Sequence, residues 1–168
     1  MAALRVGCGC QVVQSVLRYP STQSQGFAYM RREVKLEFGT LTDQQPTGHY
    51  PVQAIIAKVY PTLFGDWNYQ VVALELQRTF WEKATILHSE YHRPVDSPMP
   101  DRYARHYFDM VRLLAHADAP QYLADRVQCE RVVSWKNRVF ARGWARYDLA
   151  RHGTFRLVPP MARQADLA

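Results

Sequence analysis

The adjacent pair Glu82-Lys83 is the first candidate for chemistry in this sequence. It stands in a stretch where Phe80, Ala84 and Leu87 recur at the spacing of one apolar helical face. A surface helix places its charges opposite such a face, but this pair stands beside bulky apolar residues. The pattern predicts that both charges are held close to a protein wall, where Lys83 could neutralise a phosphate as a point charge.

A second candidate is formed by Arg105 and Asp109, which are one helical turn apart. One interpretation is an exposed ion pair on a helix surface, which contributes only about 0.3–0.5 kcal/mol. The other is that Asp109 faces a cleft as a base or as a carboxylate next to a metal, with Arg105 positioning it. The residues by themselves leave both interpretations open.

Glu37 belongs to the clearest strand pattern in the chain, residues 33–39. Val34, Leu36 and Phe38 alternate there with charged residues, which is the period of a strand with one apolar face. The favoured interpretation is that the charged face is simply hydrated. The functional interpretation is that Glu37 faces a cleft.

Several other kinds of site are disfavoured by the sequence. His88 and His92 have metal-ligand spacing on a helix but lack the glutamate of an HExxH motif, so we expect two solvated histidines near a helix end. No nucleophile elbow, Walker A loop or GxGxxG motif is present. The three cysteines, two of them in Cys8-Gly9-Cys10, indicate neither a disulfide framework nor a zinc site, and a reducing cytoplasm is the default.

The order of the predicted elements indicates an α+β protein. Strands are expected near residues 11–17, 33–39 and 69–74, a loop at 40–51, and a short strand or helix at 52–59. Helices are expected at 76–92, at 101–117 and, with a break, at 121–151. The last of these would align Arg138, Arg142 and Arg146 in a basic ridge that contacts nucleic acid. The predicted division is a sheet-rich part, 1–75, a helical part, 76–152, and a C-terminal tail, 153–168, whose last eight residues are expected to be frayed.

Composition sets broad limits on the class of protein. The chain has 168 residues, of which 48% are hydrophobic and 21% charged, values typical of a globular domain with its own core. No run approaches the roughly 18 apolar residues of a membrane span. The net charge of +6 permits, without requiring, a polyanionic partner such as nucleic acid or a nucleoside triphosphate.

Four segments together carry a family resemblance. They are Val34-Lys35-Leu36-Glu37-Phe38-Gly39, Arg78-Thr79-Phe80-Trp81-Glu82-Lys83-Ala84-Thr85-Ile86-Leu87-His88, Arg93-Pro94 and Arg102-Tyr103-Ala104-Arg105-His106-Tyr107-Phe108-Asp109. In this order and spacing, over about residues 19–160, the chain resembles the AbiEii/AbiGii family. These are nucleotidyltransferase-like toxins of bacterial abortive-infection and toxin–antitoxin systems, which act in phage defence.

The resemblance implies a fold and an activity. The fold would be a nucleotidyltransferase sheet of the DNA polymerase β type followed by a helical part, and the activity a Mg²⁺-dependent transfer of nucleotides from a nucleoside triphosphate to RNA, such as tRNA ends. Carried over by residue, Lys83 would bind the triphosphate with Glu82 beside it. Asp109 matches the family's essential aspartate, Arg105 a residue of the same motif, and Glu37 the third carboxylate. An antitoxin partner is also implied.

The chain also departs from the family pattern. Members carry a Gly-Gly-Ser/Thr turn and then an Asp-x-Asp pair that holds the metals, and this sequence has no Asp-x-Asp. The thiols of Cys8 and Cys10 are poor substitutes, because Mg²⁺ prefers hard oxygen ligands. We therefore expect the C-terminal portion of such an enzyme, shortened ahead of Tyr19 and inactive alone. An incomplete sheet would expose an edge and favour a homo-oligomer.

A non-enzymatic function is the alternative. The basic helical part would then bind nucleic acid or a partner protein without catalysing a reaction.

Overall fold

The computed structural model describes residues 12–18, 20, 32–39, 43–63 and 68–164. The contacts between Cα atoms divide the chain into two compact units, Met1–Asp43 and Gln44–Ala168. The predicted boundaries at residues 75 and 152 stay predictions. The segment Cys8-Gly9-Cys10 lies outside the described residues, and the predicted shortening ahead of Tyr19 stays a prediction.

The first unit contains one antiparallel ribbon, formed by β1 (Val12–Arg18) and β2 (Glu33–Gly39). Both strands were expected from the sequence. Leu17 lies opposite Val34 in the register, and Ser15 lies opposite Leu36. Because directly opposed residues share a face, Leu17 lies on the same face as Val34, Leu36 and Phe38, whereas Val16 lies opposite Lys35 on the other face.

The second unit begins with another antiparallel ribbon, β3 (Thr47–Gln53) paired with β4 (Asn68–Leu74). A helical turn, α1 (Ile55–Val59), lies between them. The loop predicted over residues 40–51 is wrong for its part from Thr47 onward. Gly48 and Pro51 are typical of loops, but pairing with β4 overrides that local preference.

Helices make up most of the remaining second unit: α2 (Leu76–Tyr91), α3 (Ala104–Leu114), α4 (Ala119–Ala124), α5 (Arg126–Val139) and α6 (Met161–Gln164). The α+β class is confirmed. None of the helices in the described part of the chain combines the length and apolar character needed to cross a membrane.

The core of the second unit is built on α2, whose predicted apolar face is buried. Phe80, Ala84 and Leu87 are at most 1% exposed. They pack with Trp81 and with residues of α3, α4 and α5, namely Met110, Ala119, Tyr122, Cys129 and Val132. The indole N–H of Trp81 donates a hydrogen bond to the carbonyl of Tyr122 at 3.1 Å, which satisfies its polar atom inside the core.

The long third helix predicted over residues 121–151 is wrong in its second half. α5 ends at Val139, and the Asp125 side chain caps its start by accepting from the Gln128 N–H at 2.9 Å. Beyond that end the chain turns, and Arg146 has a left-handed backbone with φ of 48°. The spacing of Arg138, Arg142 and Arg146 is therefore not that of one helical ridge.

The predicted frayed tail is also wrong for its described part. Met161–Gln164 forms α6, and the Arg163 side chain is 4% exposed. Its guanidinium donates a hydrogen bond to the carbonyl of Pro94, which ties this helix to the segment that follows α2.

The expectation that His88 is solvated is wrong. It is fully buried, its Nδ1 accepts from the Arg156 backbone N–H at 3.1 Å, and its Nε2 lies 3.0 Å from the Arg146 carbonyl. This pair of contacts requires a neutral ring that carries its proton on Nε2. Burial lowers the pKa of His88, and burial also lowers the pKa of the neighbouring His92.

The lowered pKa values of His88 and His92 predict that the protein loses stability in mild acid. A pKa lowered in the folded state means that the unfolded chain binds more protons, so the free energy of unfolding falls as pH drops below the ordinary value of 6.5. The loss should be complete below the folded pKa. The substitution His88→Gln can keep both hydrogen bonds without a titrating group, so its stability should depend less on pH. Urea denaturation of both proteins across this range measures the slopes.

The carboxylates do not obscure this test. The pKa values of Asp109 and Asp148 are lowered from 3.8, so their stabilisation is lost only at more acidic pH. A wild-type free energy of unfolding that stays constant as pH falls from neutral to about 4 would contradict the prediction.

Candidate functional site

Lys83 lies where α2 faces α3, and two side chains of α3 hold its ammonium. Lys83 Nζ donates to Asp109 Oδ2 at 2.8 Å and lies 3.1 Å from Nδ1 of His106. His106 and Asp109 are three residues apart, so they share one face of α3. The side chain of Lys83 is 23% exposed and that of Asp109 is 42% exposed. The ammonium is thus held in place yet reachable from solvent.

The electrostatics of this group favour an ionised Asp109 and a neutral His106. The hydrogen bond from Lys83 lowers the pKa of Asp109. Burial lowers the pKa of His106, and the Lys83 charge lowers it further. A general base works best with a pKa near the operating pH. Asp109 is therefore better suited to positioning Lys83 than to accepting a proton.

A cavity of about 830 Å³ opens beside this ammonium. Lys83, Asp109, Arg112 and His116 contribute its polar lining, and Thr79, Val111, Leu113 and Ala115 contribute the rest. The volume falls within the roughly 300–1,000 Å³ of typical small-molecule sites. Two permanent cations near a single carboxylate make the cavity suited to an anion.

Glu82 points to a different neighbourhood from Lys83. Its Oε1 accepts from Arg78 Nη2 at 2.6 Å, and its Oε2 lies 2.5 Å from Lys136 Nζ on α5. Arg78 is fully buried and also donates to the carbonyl of Gln45 at 3.1 Å. Glu82 therefore neutralises two cations of the interior, and its direct contact with a substrate stays a prediction.

Arg105 is exposed near the first turn of α3, and its charge contributes to lowering the pKa of Asp109. The partner of Asp109 at 2.8 Å is Lys83, which the sequence did not indicate.

In the first unit, Glu37 is exposed on β2, lies 2.6 Å from Lys35 and accepts from Gln14. The roles predicted for Arg105 and Glu37 stay predictions.

The three arginines of the predicted ridge have separate surroundings. Arg138 lies over the ring of Trp135, and Arg142 over the ring of Trp144. Arg146 pairs with Asp148 through two hydrogen bonds of 3.0 and 3.1 Å. Nucleic-acid contact stays a prediction for all three, although the charge of Arg146 is already compensated.

Sequence reasoning missed three residues of this site. Arg78 could have been found, because it stands four residues before Glu82 on the same helix face. His106 could have been found by its spacing from Asp109. Lys136 could not, because it is far from Glu82 in the chain and only the packing of α5 on α2 joins them.

The Mg²⁺ implied by the resemblance does not fit the described side chains as they stand. Across the described residues, no group of three or more His, Cys, Asp or Glu side chains converges to hold a metal. The nearest carboxylates are already paired, Asp109 with Lys83 and Glu82 with Arg78 and Lys136. A divalent cation at either position would face an ammonium or guanidinium within hydrogen-bond distance.

A family model covers the Lys83 site and most of the rest of the chain. Residues 11–167 match the family model described as nucleotidyl transferase AbiEii toxin of a type IV toxin–antitoxin system. The chain belongs to this family. No curated protein and no solved structure matches it.

The two neighbouring carboxylates should differ in what their loss costs. Glu82→Ala leaves buried Arg78 without its carboxylate and should lower the free energy of unfolding by roughly 1–3 kcal/mol. Asp109→Ala removes a partly exposed ion pair and should lower it by less than about 1 kcal/mol. Urea denaturation at neutral pH measures both. If both substitutions lowered the free energy of unfolding equally, the result would contradict the prediction, which rests on the difference in burial between the two ion pairs.

Proposed function

We propose that this protein transfers nucleotides from a nucleoside triphosphate to RNA, with tRNA ends as the acceptor class, and that Lys83 binds the triphosphate. The observation that carries the proposal is the Lys83 ammonium, held by Asp109 and His106 beside an open, cation-lined cavity. Membership of the nucleotidyl transferase toxin family supports the reaction class.

The residues at and next to the cavity have different roles in binding the triphosphate. Lys83 and Arg112 neutralise phosphate oxygens, Lys83 as a point charge and Arg112 with a planar fork of donors. Asp109 and His106 act as positioning residues because they hold the ammonium at one place on the cavity wall. This pre-organisation matters since a charge already fixed in position does not have to reorganise during the reaction.

A neighbouring cavity of about 710 Å³ is a poorer candidate for the triphosphate. Its lining includes Glu75, Asp118 and Asp125. Three carboxylates would repel a polyanion. Charge therefore decides between the two cavities, and it favours the one beside Lys83.

The proposed reaction balances without a covalent enzyme intermediate. The terminal hydroxyl oxygen of the RNA forms a bond to the α-phosphorus of the triphosphate. The bond between this phosphorus and the oxygen that bridges it to the β-phosphorus breaks. Pyrophosphate leaves with the electron pair, and the hydroxyl proton passes to solvent. Charge accumulates on the phosphate oxygens, which is where Lys83 and Arg112 act.

Further features follow from the family and belong to this proposal. They are a cognate antitoxin, a role in phage defence, a cytoplasmic location and Mg²⁺ as a reaction component. Self-association also belongs here, because the two ribbons leave apolar residues exposed, including Phe38 at 57% and Tyr69 at 63%.

Incorporation of labelled nucleotides into tRNA tests the proposal. Each nucleoside triphosphate is supplied with Mg²⁺, and the rate of incorporation is measured by gel. Lys83→Ala should reduce the rate by about 100-fold or more, because it removes a charge placed for the transition state. Asp109→Asn should reduce it less, since Lys83 keeps its charge but loses its ionised partner.

Matched controls separate the site from general charge effects. Lys58→Ala removes an exposed lysine of α1, and Asp96→Ala removes an exposed aspartate after α2. Both should retain the wild-type rate. Incorporation that survives Lys83→Ala, or wild-type protein that incorporates no nucleotide into tRNA, would overturn the proposed activity. The second outcome is the one expected from the sequence if the chain is inactive alone.

A non-catalytic RNA-binding function is the second candidate, and the density of exposed arginine–aromatic pairs favours it. Arginines lie within about 6 Å of aromatic ring centres at several places on the second unit, among them Arg112, Arg138 and Arg142. Such pairs offer both positive charge and stacking surfaces to RNA.

For this second function we expect RNA affinity to fall steeply with salt, without nucleotide incorporation. Each phosphate contact that is lost should reduce the slope of log affinity against log salt by roughly 0.7–0.9. Arg138→Ala should show that reduction, while Arg146→Ala should show less because Asp148 compensates its charge. Fluorescence anisotropy over a salt series provides the slopes, and equal slopes for all three proteins would contradict the assignment.

A further inference from the structure

A second, smaller recess lies along α2, one turn beyond Lys83. It has a volume of about 230 Å³. Ile86 and Ser89 of α2 form one side, and Tyr103, Phe140, Trp144 and Tyr147 supply four aromatic rings. The proposed triphosphate site uses none of these residues.

The size of the recess limits what it can hold. Cavities for drug-sized ligands measure roughly 300–1,000 Å³, so this one is too small for a whole nucleoside triphosphate. A single planar ring system fits the volume and the aromatic lining better.

The charges around the recess disfavour a cationic ligand. Glu90 lines it, but both carboxylate oxygens accept from Arg93, at 2.6 and 2.7 Å. Lys136 also lines the recess but is paired with Glu82, whereas Arg142 adds an exposed positive charge. A neutral ring attached to an anionic backbone matches this lining, because Arg142 is exposed and can meet a phosphate.

The rings of the recess are paired with cationic groups. The Trp144 ring centre lies 4.5 Å from the Arg93 guanidinium and 5.5 Å from that of Arg142. The ammonium of Lys136 lies 4.8 Å from the Phe140 ring centre. Aromatic rings and guanidinium planes are the surfaces on which unpaired nucleobases stack in RNA-binding proteins.

Direct contacts connect this recess to the Lys83 site. The rings of Tyr103 and His106 lie 4.9 Å apart in an edge-to-face arrangement, and His106 Nδ1 lies 3.1 Å from Lys83 Nζ. Ile86 follows Lys83 by three residues on α2, a rise of about 4.5 Å. A chain of contacts from Tyr103 through His106 to Lys83 therefore connects a ligand in the recess with the triphosphate cavity.

We infer that this recess, here called the aromatic recess, binds one unpaired nucleobase of the RNA acceptor. The inference rests on the proposed function, because it assigns the second substrate a place next to the first. It predicts that the protein prefers RNA with a single-stranded 3′ end over the same RNA with a blunt end.

Two fluorescent RNA hairpins test this inference, one with a short single-stranded 3′ extension and one blunt. Wild-type protein should bind the extended hairpin more tightly in fluorescence anisotropy. Phe140→Ala should weaken that binding by roughly five- to hundredfold, the range for loss of one base–aromatic stack. Binding of the blunt hairpin should change little.

Two further variants distinguish a specific loss of base binding from a loss of folding. Arg142→Ala changes an exposed side chain at the recess and should also reduce the preference for the extended hairpin. Tyr60→Ala removes an exposed ring after α1 that does not line the recess, and it should retain the full preference. Thermal melting confirms that each variant is folded.

The outcomes separate this inference from the proposed activity. Equal affinity for the two hairpins, or a preference that Phe140→Ala and Arg142→Ala leave intact, overturns the aromatic recess even if nucleotides are incorporated into tRNA. A preference that depends on Phe140 and Arg142 supports the recess even if no nucleotide is incorporated, in which case only the proposed activity fails.

Discussion

The pairing of charges on the buried helix α2 is the constraint on which the rest of the second unit depends. A helix whose apolar face forms the core cannot leave its charges unpaired in the interior, because an isolated buried charge costs several kcal/mol. Arg78 and Glu82 satisfy one another together with Lys136, and Glu90 takes Arg93. These pairs set how α5 and the segment after α2 lie against the central helix.

The need to pair buried charges also distinguishes Glu82, whose charge stabilises the fold, from Lys83, whose charge is available to a ligand. Glu82 and Lys83 are adjacent, yet α2 directs Glu82 toward α5 and Lys83 toward α3. Glu82 meets cations that are themselves largely buried, so its carboxylate is needed for the fold. Lys83 meets Asp109, which remains 42% exposed, so the ion pair contributes little stability and leaves the ammonium available to an anion.

Two of the cavities that α2 lines accord with a reaction that has two substrates. The larger lies beside Lys83 and carries a positive lining suited to phosphates. The smaller is lined by Phe140, Trp144 and other aromatic side chains. His106 and Tyr103 connect them through direct contacts. The fold thus offers separate places for a triphosphate and for a base, within reach of one another.

Periodicity in the sequence was sufficient to predict β2, β4, α2 and the apolar face of Phe80, Ala84 and Leu87, because these features repeat over neighbouring residues. The family resemblance likewise singled out Lys83 and Asp109. Only the tertiary structure joined Lys83 to Asp109, buried His88 and ended α5 before Arg142. The physical reason is that Lys83 and His88 contact groups distant in the chain, namely Asp109 and the backbone of Arg146 and Arg156, and local spacing does not reveal such contacts.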